Sequence, residues 1–296
     1  MRRITVASLL LPGMLYADFA QACATCLCGD QTITVMGAEK PFAGRLRIGA
    51  EYLTRSEAVG EPGVDEHVID ETRITYSVSY APSADWILSA SLPLVEKEVR
   101  RFDLSRETAS GLGDADLYAR WYLRDAARIP ARHLWGMQFG LRIPTSSEQE
   151  SAGFAVDFDG QPGAGATIPN LGIWYGYFRA PGFYYLSAVY QHAINEGYQD
   201  YEAGDVLLAT AHAQHALGPQ LALSFSLDGR SKERDRYAGV VDTDSGGVLV
   251  MATPGIAWMP LTDLVVNLSF QIPAVENLNG RQEEDPVFRI GVTYDL

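Results

Sequence analysis

The sequence predicts an all-β protein. It reads as an antiparallel up-and-down transmembrane β-barrel of about 12 strands, with short periplasmic turns and longer extracellular loops. Three observations carry this. Segments of about ten residues alternate apolar and polar side chains. The connections between them alternate short and long. No run of 18 apolar residues follows residue 22, so no transmembrane helix competes for the same reading.

The clearest segment is 111–124, GLGDADLYARWYLR. Strand side chains point to opposite sides at successive residues. Ala115, Leu117, Ala119, Trp121 and Leu123 therefore share one face. Asp114, Asp116, Tyr118, Arg120, Tyr122 and Arg124 share the other. Alone, such a strand fits a soluble sandwich or a membrane barrel equally well.

The totals narrow the choice. The chain has 296 residues, 47% of them hydrophobic, which is ample for a folded domain. Its net charge is −14 and it offers no basic patch, so nucleic acid is not an expected partner.

Residues 1–22 read as a signal peptide: Arg2 and Arg3, an apolar run from Ile4 to Tyr16, then the small-x-small site Ala20-Gln21-Ala22. Residues 23–43 read as a Cys-rich periplasmic arm or lumen plug, and residues 44–296 as the barrel. Cys23, Cys26 and Cys28 are the candidate metal ligands, close enough together for a soft cation. An exported chain equally supports a disulfide with one spare thiol; a lipid on Cys23 is a further alternative, but Ala20 and Gln21 are not the usual residues before a lipidated Cys. No His follows Cys26, so a c-type haem is excluded.

Alternation then marks the strands at Arg45–Thr54, Ile69–Tyr80, Trp86–Val95, the segment opening at Ala115, His133–Ile143 and Thr167–Phe178. Phe183–Asn195, Asp205–His215, Leu221–Asp228, Gly247–Met259, Leu264–Ile272 and Val287–Asp295 follow. Joins after even strands are short: Ala81–Asp85, Asp125–Arg132, Arg179–Gly182, Gly218–Gln220 and Pro260–Asp263. Joins after odd strands are long: Arg55–Val68, Glu96–Gly113, Thr145–Ala166, Glu196–Gly204, Arg230–Gly246 and Pro273–Pro286. Outer-membrane barrels sort their loops this way, and a soluble sandwich has no reason to. Aromatic residues near strand ends, among them Tyr80, Trp86, Trp121, Trp135, Trp174, Tyr175, Tyr184, Trp258 and Tyr294, fit two interfacial girdles.

The last eight residues resemble the C-terminal signal read by the outer-membrane barrel assembly machinery, carried here by Arg289, Gly291, Tyr294 and Leu296. GLGDADLYARWYL resembles the Gly-Leu-Gly-Asp-x-x-Leu strand start of the transporter-like outer-membrane barrels related to the phenol-degradation meta-pathway proteins. Leu-Arg-Ile-Pro-Thr at 141–145 is similar to a strand end of the same group, with Ser146 where that group has Gly. The Cys-rich stretch after the leader also resembles theirs. The resemblance implies a barrel passing small solutes, hydrophobic or aromatic ones among them. It implies neither catalytic residues nor a cofactor.

On this phase Glu71, Arg73, Asp114, Asp116, Arg120, Arg124, Arg142, Thr210, His212 and Gln214 face the lumen. Mixed charges there fit a polar filter for a solute or a structural ion-pair ladder. The acidic residues of the outer loops (Glu57, Glu61, Asp65, Glu66; Glu148, Glu150, Asp157, Asp159; Glu283, Glu284, Asp285) read as solvated surface. His192 falls on the lipid side near the outer rim. It lacks the Ser-Asn-Gly companion of outer-membrane phospholipases, so it reads as a girdle residue. The expected partners are outer-membrane lipids and lipopolysaccharide, the assembly machinery and a small-molecule solute, at the outer membrane of a Gram-negative bacterium.

Overall fold

A computed structural model describes residue 36 and residues 41–123, 132–151 and 154–296. Twelve antiparallel strands form one sheet that closes on itself. They are β1 (Leu46–Val59), β2 (His67–Ser83), β3 (Trp86–Arg101), β4 (Ala115–Tyr122), β5 (His133–Ile143) and β6 (Ile168–Arg179). The circuit continues with β7 (Gly182–Gln191), β8 (Val206–Ala216), β9 (Leu221–Lys232), β10 (Gly247–Leu261), β11 (Leu264–Leu278) and β12 (Val287–Asp295).

Each strand pairs with its neighbours in sequence, and β12 pairs with β1 from Arg47 opposite Asp295 to Thr54 opposite Phe288. The seam is locked at its periplasmic end. Asp295 accepts from Arg45 and Arg47, each at 2.7 Å, and the Leu296 N–H donates to the Leu46 carbonyl at 2.8 Å.

Every strand turns at least one large apolar residue outward: Ile48, Tyr76, Leu88, Leu117, Phe139, Ile173, Leu186, Leu207, Phe225, Ile256, Leu268 and Val292 are all exposed. A belt of that extent all round a protein is tolerated by lipid and not by water. Below it, next to the short turns, Tyr80, Trp86, Trp121, Trp135, Tyr184, Trp258 and Tyr294 also face out, and Trp86 stacks on Trp121 at 6.0 Å. Trp174 is a correction. It is 3% exposed and points into the lumen, because its strand phase places Ile173 and Tyr175 on the lipid side.

Several long joins are shorter than the alternation suggests. β2 and β3 run to 17 and 16 residues, and only residues 60–66 join β1 to β2. Most of Glu96–Gly113 is a hairpin, with the strand Arg106–Leu112 laid along the outer half of β3. Part of Pro273–Pro286 likewise extends β11, and Gln282–Glu284 pairs with β1. The reason is physical. Beyond the bilayer the outward face meets water and becomes polar, as at Glu96, Glu98 and Arg100. The apolar signal stops there, while backbone pairing continues.

The third outer connection departs differently. It folds inward, leaving Val156, Phe158, Asp159, Gln161, Ala164 and Ala166 at 2% exposure or less.

The belt makes a direct test available. Leu186→Arg puts a cation among outward apolar side chains and should cost about 2–4 kcal/mol near the bilayer midplane. Urea unfolding in lipid vesicles measures it, with loss of heat-modifiable gel migration as the cheap readout.

Candidate functional site: the lumen

The wall's alternation sends its polar residues inward, and cross-strand register then decides which of them meet. In the outer half, Arg55 of β1 lies directly opposite Glu71 of β2. The guanidinium donates to the Glu71 carboxylate at 2.8 Å, and Arg73 reaches the other carboxylate oxygen at 2.5 Å. Glu57 lies opposite Glu284, which places like charges side by side. Arg55 sits near both, at 3.6 and 3.8 Å, and Arg230 from β9 binds Glu284 at 2.9 Å. Lys97, fully buried, donates to the Asp159 carbonyl at 2.9 Å. Four cations (Arg55, Arg73, Lys97, Arg230) thus face four carboxylates (Glu57, Glu71, Asp159, Glu284).

Glu57, Asp159 and Glu284 correct the reading of the acidic loop residues as solvated surface. They are 3%, 2% and 5% exposed. The first and last ride on strand extensions whose inner face is the lumen, and Asp159 rides on the inward loop.

The GLGD stretch shows why that loop turns in. Leu94 pairs with Leu112, but Ser91 pairs with Asp116, so β4 is entered through a one-residue bulge. The bulge lies at Gly113-Asp114. A Cβ on Gly113 would stand 2.9 Å from the Pro93 side chain and 3.0 Å from the Pro162 carbonyl, so only glycine lets the loop pass this close.

Asp114, aimed inward by the bulge, accepts from the Ala164 N–H at 2.8 Å and the Gly165 N–H at 3.2 Å. It also accepts from the Ser146 N–H at 3.2 Å and the Ser146 hydroxyl at 2.5 Å. Thr145 closes the junction, donating to the Gly113 carbonyl and accepting from the Ala115 N–H, both at 2.9 Å. The two stretches that carry the family resemblance, 111–117 and 141–146, therefore meet at one joint.

Above the loop, three outer connections meet through aromatic rings. Phe158 stacks on Tyr201 at 3.8 Å, and Tyr237 stands edge-on to Phe158 at 5.6 Å. Asp235 ties them, accepting from Lys232 at 2.6 Å and from the Gly204 N–H at 2.8 Å. Burial pushes the neighbouring Asp242 carboxyl up to about 7, against a hydrogen bond from the Asp244 N–H and with the Asp235 and Asp159 carboxylates adding to the rise. Burial raises Asp159 too, opposed by His67 and Lys97.

Lower down, Asp116 pairs with its cross-strand partner Arg142 at 2.9 Å. Asp228 of β9 accepts from Thr210 at 3.0 Å and Thr253 at 2.8 Å. In the periplasmic half the lining turns aromatic. Arg120, fully buried, lies 5.2 Å from the Trp174 ring and 5.6 Å from the Tyr185 ring, and donates to the Tyr185 hydroxyl at 3.1 Å. Tyr122, Leu134, Ile87 and the Met36 side chain pack with them. His212 faces inward beside Phe183 and hydrogen-bonds Ser226 at 2.7 Å. His192 lies on the outer surface and bonds Asp205 at 2.6 Å.

The structure thus places Glu71, Arg73, Asp114, Asp116, Arg120, Arg142, Thr210, His212 and Gln214 on the lumen side, in separate clusters at different heights. Arg124, Cys23, Cys26 and Cys28 lie outside the described residues, as does most of the 23–43 arm. Among the described residues no group of three or more His, Cys, Asp or Glu side chains could hold a metal ion. Arg289 and Gly291 face inward and Tyr294 outward on β12. Sequence reasoning missed Trp174, Tyr185, Lys97 and the inward loop. The run Tyr175, Tyr177, Phe178, Phe183, Tyr184, Tyr185 is aromatic on both faces and hides its phase.

No protein-family model matches the chain, and no curated protein matches it. Among solved structures, the chain is similar to the COG4313 outer membrane channel from Pseudomonas putida F1, with 12% identity and a TM-score of 0.67 over 87% of this chain and 97% of that one. It is also similar to the β domain of the Bordetella autotransporter BrkA, with 10% identity and a TM-score of 0.52 over 86% of this chain and all of the other. At these identities the likeness is one of fold: the chain has the closed β-barrel of outer-membrane proteins.

Two outcomes follow from the joint and the mouth. Asp114→Ala removes the acceptor of four donors, of which the Ala164 N–H is buried and costs about 1–3 kcal/mol to leave unpaired, while the other three are part-buried. Limited proteolysis should then nick residues 145–166 that resist it in the wild type. Asp242 holds its proton in the fold far above its ordinary pKa, so its contribution to stability is full below about pH 4 and is lost as pH rises through about 7. Protease cleavage within residues 233–246 should be faster at pH 8.5 than at pH 5.5, measured against Asp242→Asn, in which that pH dependence is removed.

Proposed function

We propose that the protein is a passive channel of the Gram-negative outer membrane for small solutes, hydrophobic or aromatic ones among them. One observation carries the reading. The outer half of the barrel interior is polar with paired charges, and the loop that folds into it is anchored at its two ends by hydrogen bonds to Asp114. A barrel serving only as an anchor has no need of the ion pairs that line the outer half of this interior. Twelve strands lie between the eight that side chains fill and the sixteen that leave a wide pore, which suits selective passage.

Met36, buried among the aromatic lining, supports residues 23–43 as a plug of the periplasmic side. The kinship to the phenol-degradation barrels belongs to the same proposal, as do insertion through the terminal Arg289, Gly291, Tyr294 and Leu296 pattern and contact with lipopolysaccharide. The similarity in fold to an outer membrane channel, over 97% of that chain, favours transport over catalysis. The Cys-rich arm gives a second reading, in which the barrel anchors a module binding a metal or a periplasmic partner.

Planar-bilayer recordings test the first reading. The intact chain should conduct in closing bursts, and deletion of residues 23–43 should raise the open fraction. Silence from both forms would sink it. Metal analysis of the purified protein against Cys26→Ser tests the second.

A further inference from the structure

We infer that the periplasmic half of the lumen holds a binding subsite for a planar aromatic carboxylate, built by Trp174, Ser187, Tyr185 and Arg120. The inference rests on the channel reading for its biological sense, but its geometry stands apart from it.

Trp174 on β6 and Ser187 on β7 are directly opposite in register, and both face the lumen. The indole Nε1 and the serine Oγ are buried, and among the described residues neither has a hydrogen-bond partner. Buried donors left unmade are costly and uncommon in folded proteins, so two in one cross-strand pair point to a ligand oxygen. Gly136, opposite Trp174 on β5, leaves room for the indole nitrogen beside the strand: a Cβ there would stand 3.1 Å from Nε1.

The rest of the subsite supplies a ring platform and a charge. The Trp174 and Tyr185 rings lie nearly parallel, 13° apart with centroids at 6.2 Å, and Tyr122 meets Trp174 edge-on at 4.7 Å. Such faces receive another aromatic ring in offset or edge-on contact. Arg120 holds its guanidinium against both rings, which favours an anion over a neutral ligand at the same spot.

A carboxylate on a flat ring satisfies all of this. Its oxygens accept from Trp174 Nε1–H and Ser187 Oγ–H, its charge faces Arg120, and its ring rests on the aromatic wall. The Met36 thioether packs in the same cluster, and an unbranched, adaptable side chain is suited to giving way.

Benzoate is the probe, with benzyl alcohol as the uncharged ring and cyclohexanecarboxylate as the non-aromatic acid. Calorimetric titration of the full-length protein in detergent should show saturable binding, tightest for benzoate. Trp174→Phe keeps the ring and removes the donor, and Ser187→Ala removes the other. Each should weaken benzoate about ten- to a hundredfold, the effect of one hydrogen bond to a charged group. Trp86→Phe on the lipid face should leave it unchanged. Heat-modifiable migration confirms that each variant is folded. Absence of saturable benzoate binding to the wild type, or wild-type affinity in both folded lumen variants, overturns the subsite. Salt conductance keeps the two ideas apart: a conducting protein that ignores benzoate loses the subsite alone, and a silent protein that binds it loses the channel reading alone.

Discussion

A membrane offers no water to backbone N–H and C=O groups, so every strand must find a partner on both sides. The rest of this structure depends on that constraint. It forces β12 back onto β1, and the pairing of Arg47 with Asp295 and of Leu46 with Leu296 finishes a circuit that has no edge. Once the circuit is closed, each strand side chain within the membrane has only two destinations, lipid or lumen. Every later feature follows from which destination the strand phase assigns.

Closure also concentrates charge. The polar face of each strand, which a sandwich would leave to solvent, is enclosed here with eleven others. Isolated ions in such a space would be costly to desolvate. The lumen answers with alternation of sign across register, Arg55 opposite Glu71 and Asp116 opposite Arg142, and with hydroxyl and amide donors around Asp228. Where register sets Glu57 against Glu284, two arginines are drawn in beside them. These networks stiffen the wall and set the electrostatics of any path through it.

The two ends of the lumen are built from different physics. The outer side is held by directional bonds: a single aspartate at a bulge gathers four donors, and stacked rings join three loops above it. The inner side is mainly aromatic and adaptable, and takes in Met36 from the segment that precedes β1.

The sequence by itself determined the barrel, the outward face of nearly every strand and the order of the loops. Alternation is local, and a lipid belt imposes it on each strand independently. It also placed Asp114, Asp116 and Arg120 on one face, because phase within a strand needs no partner. It could not say that Asp114 holds a loop from fifty residues away, that Glu57 and Asp159 are buried, or that Trp174 points inward while Tyr175 points out. Those outcomes depend on register between strands and on the path of a loop after it leaves the sheet. Both are fixed by closure, a property of all twelve strands together that no single segment carries.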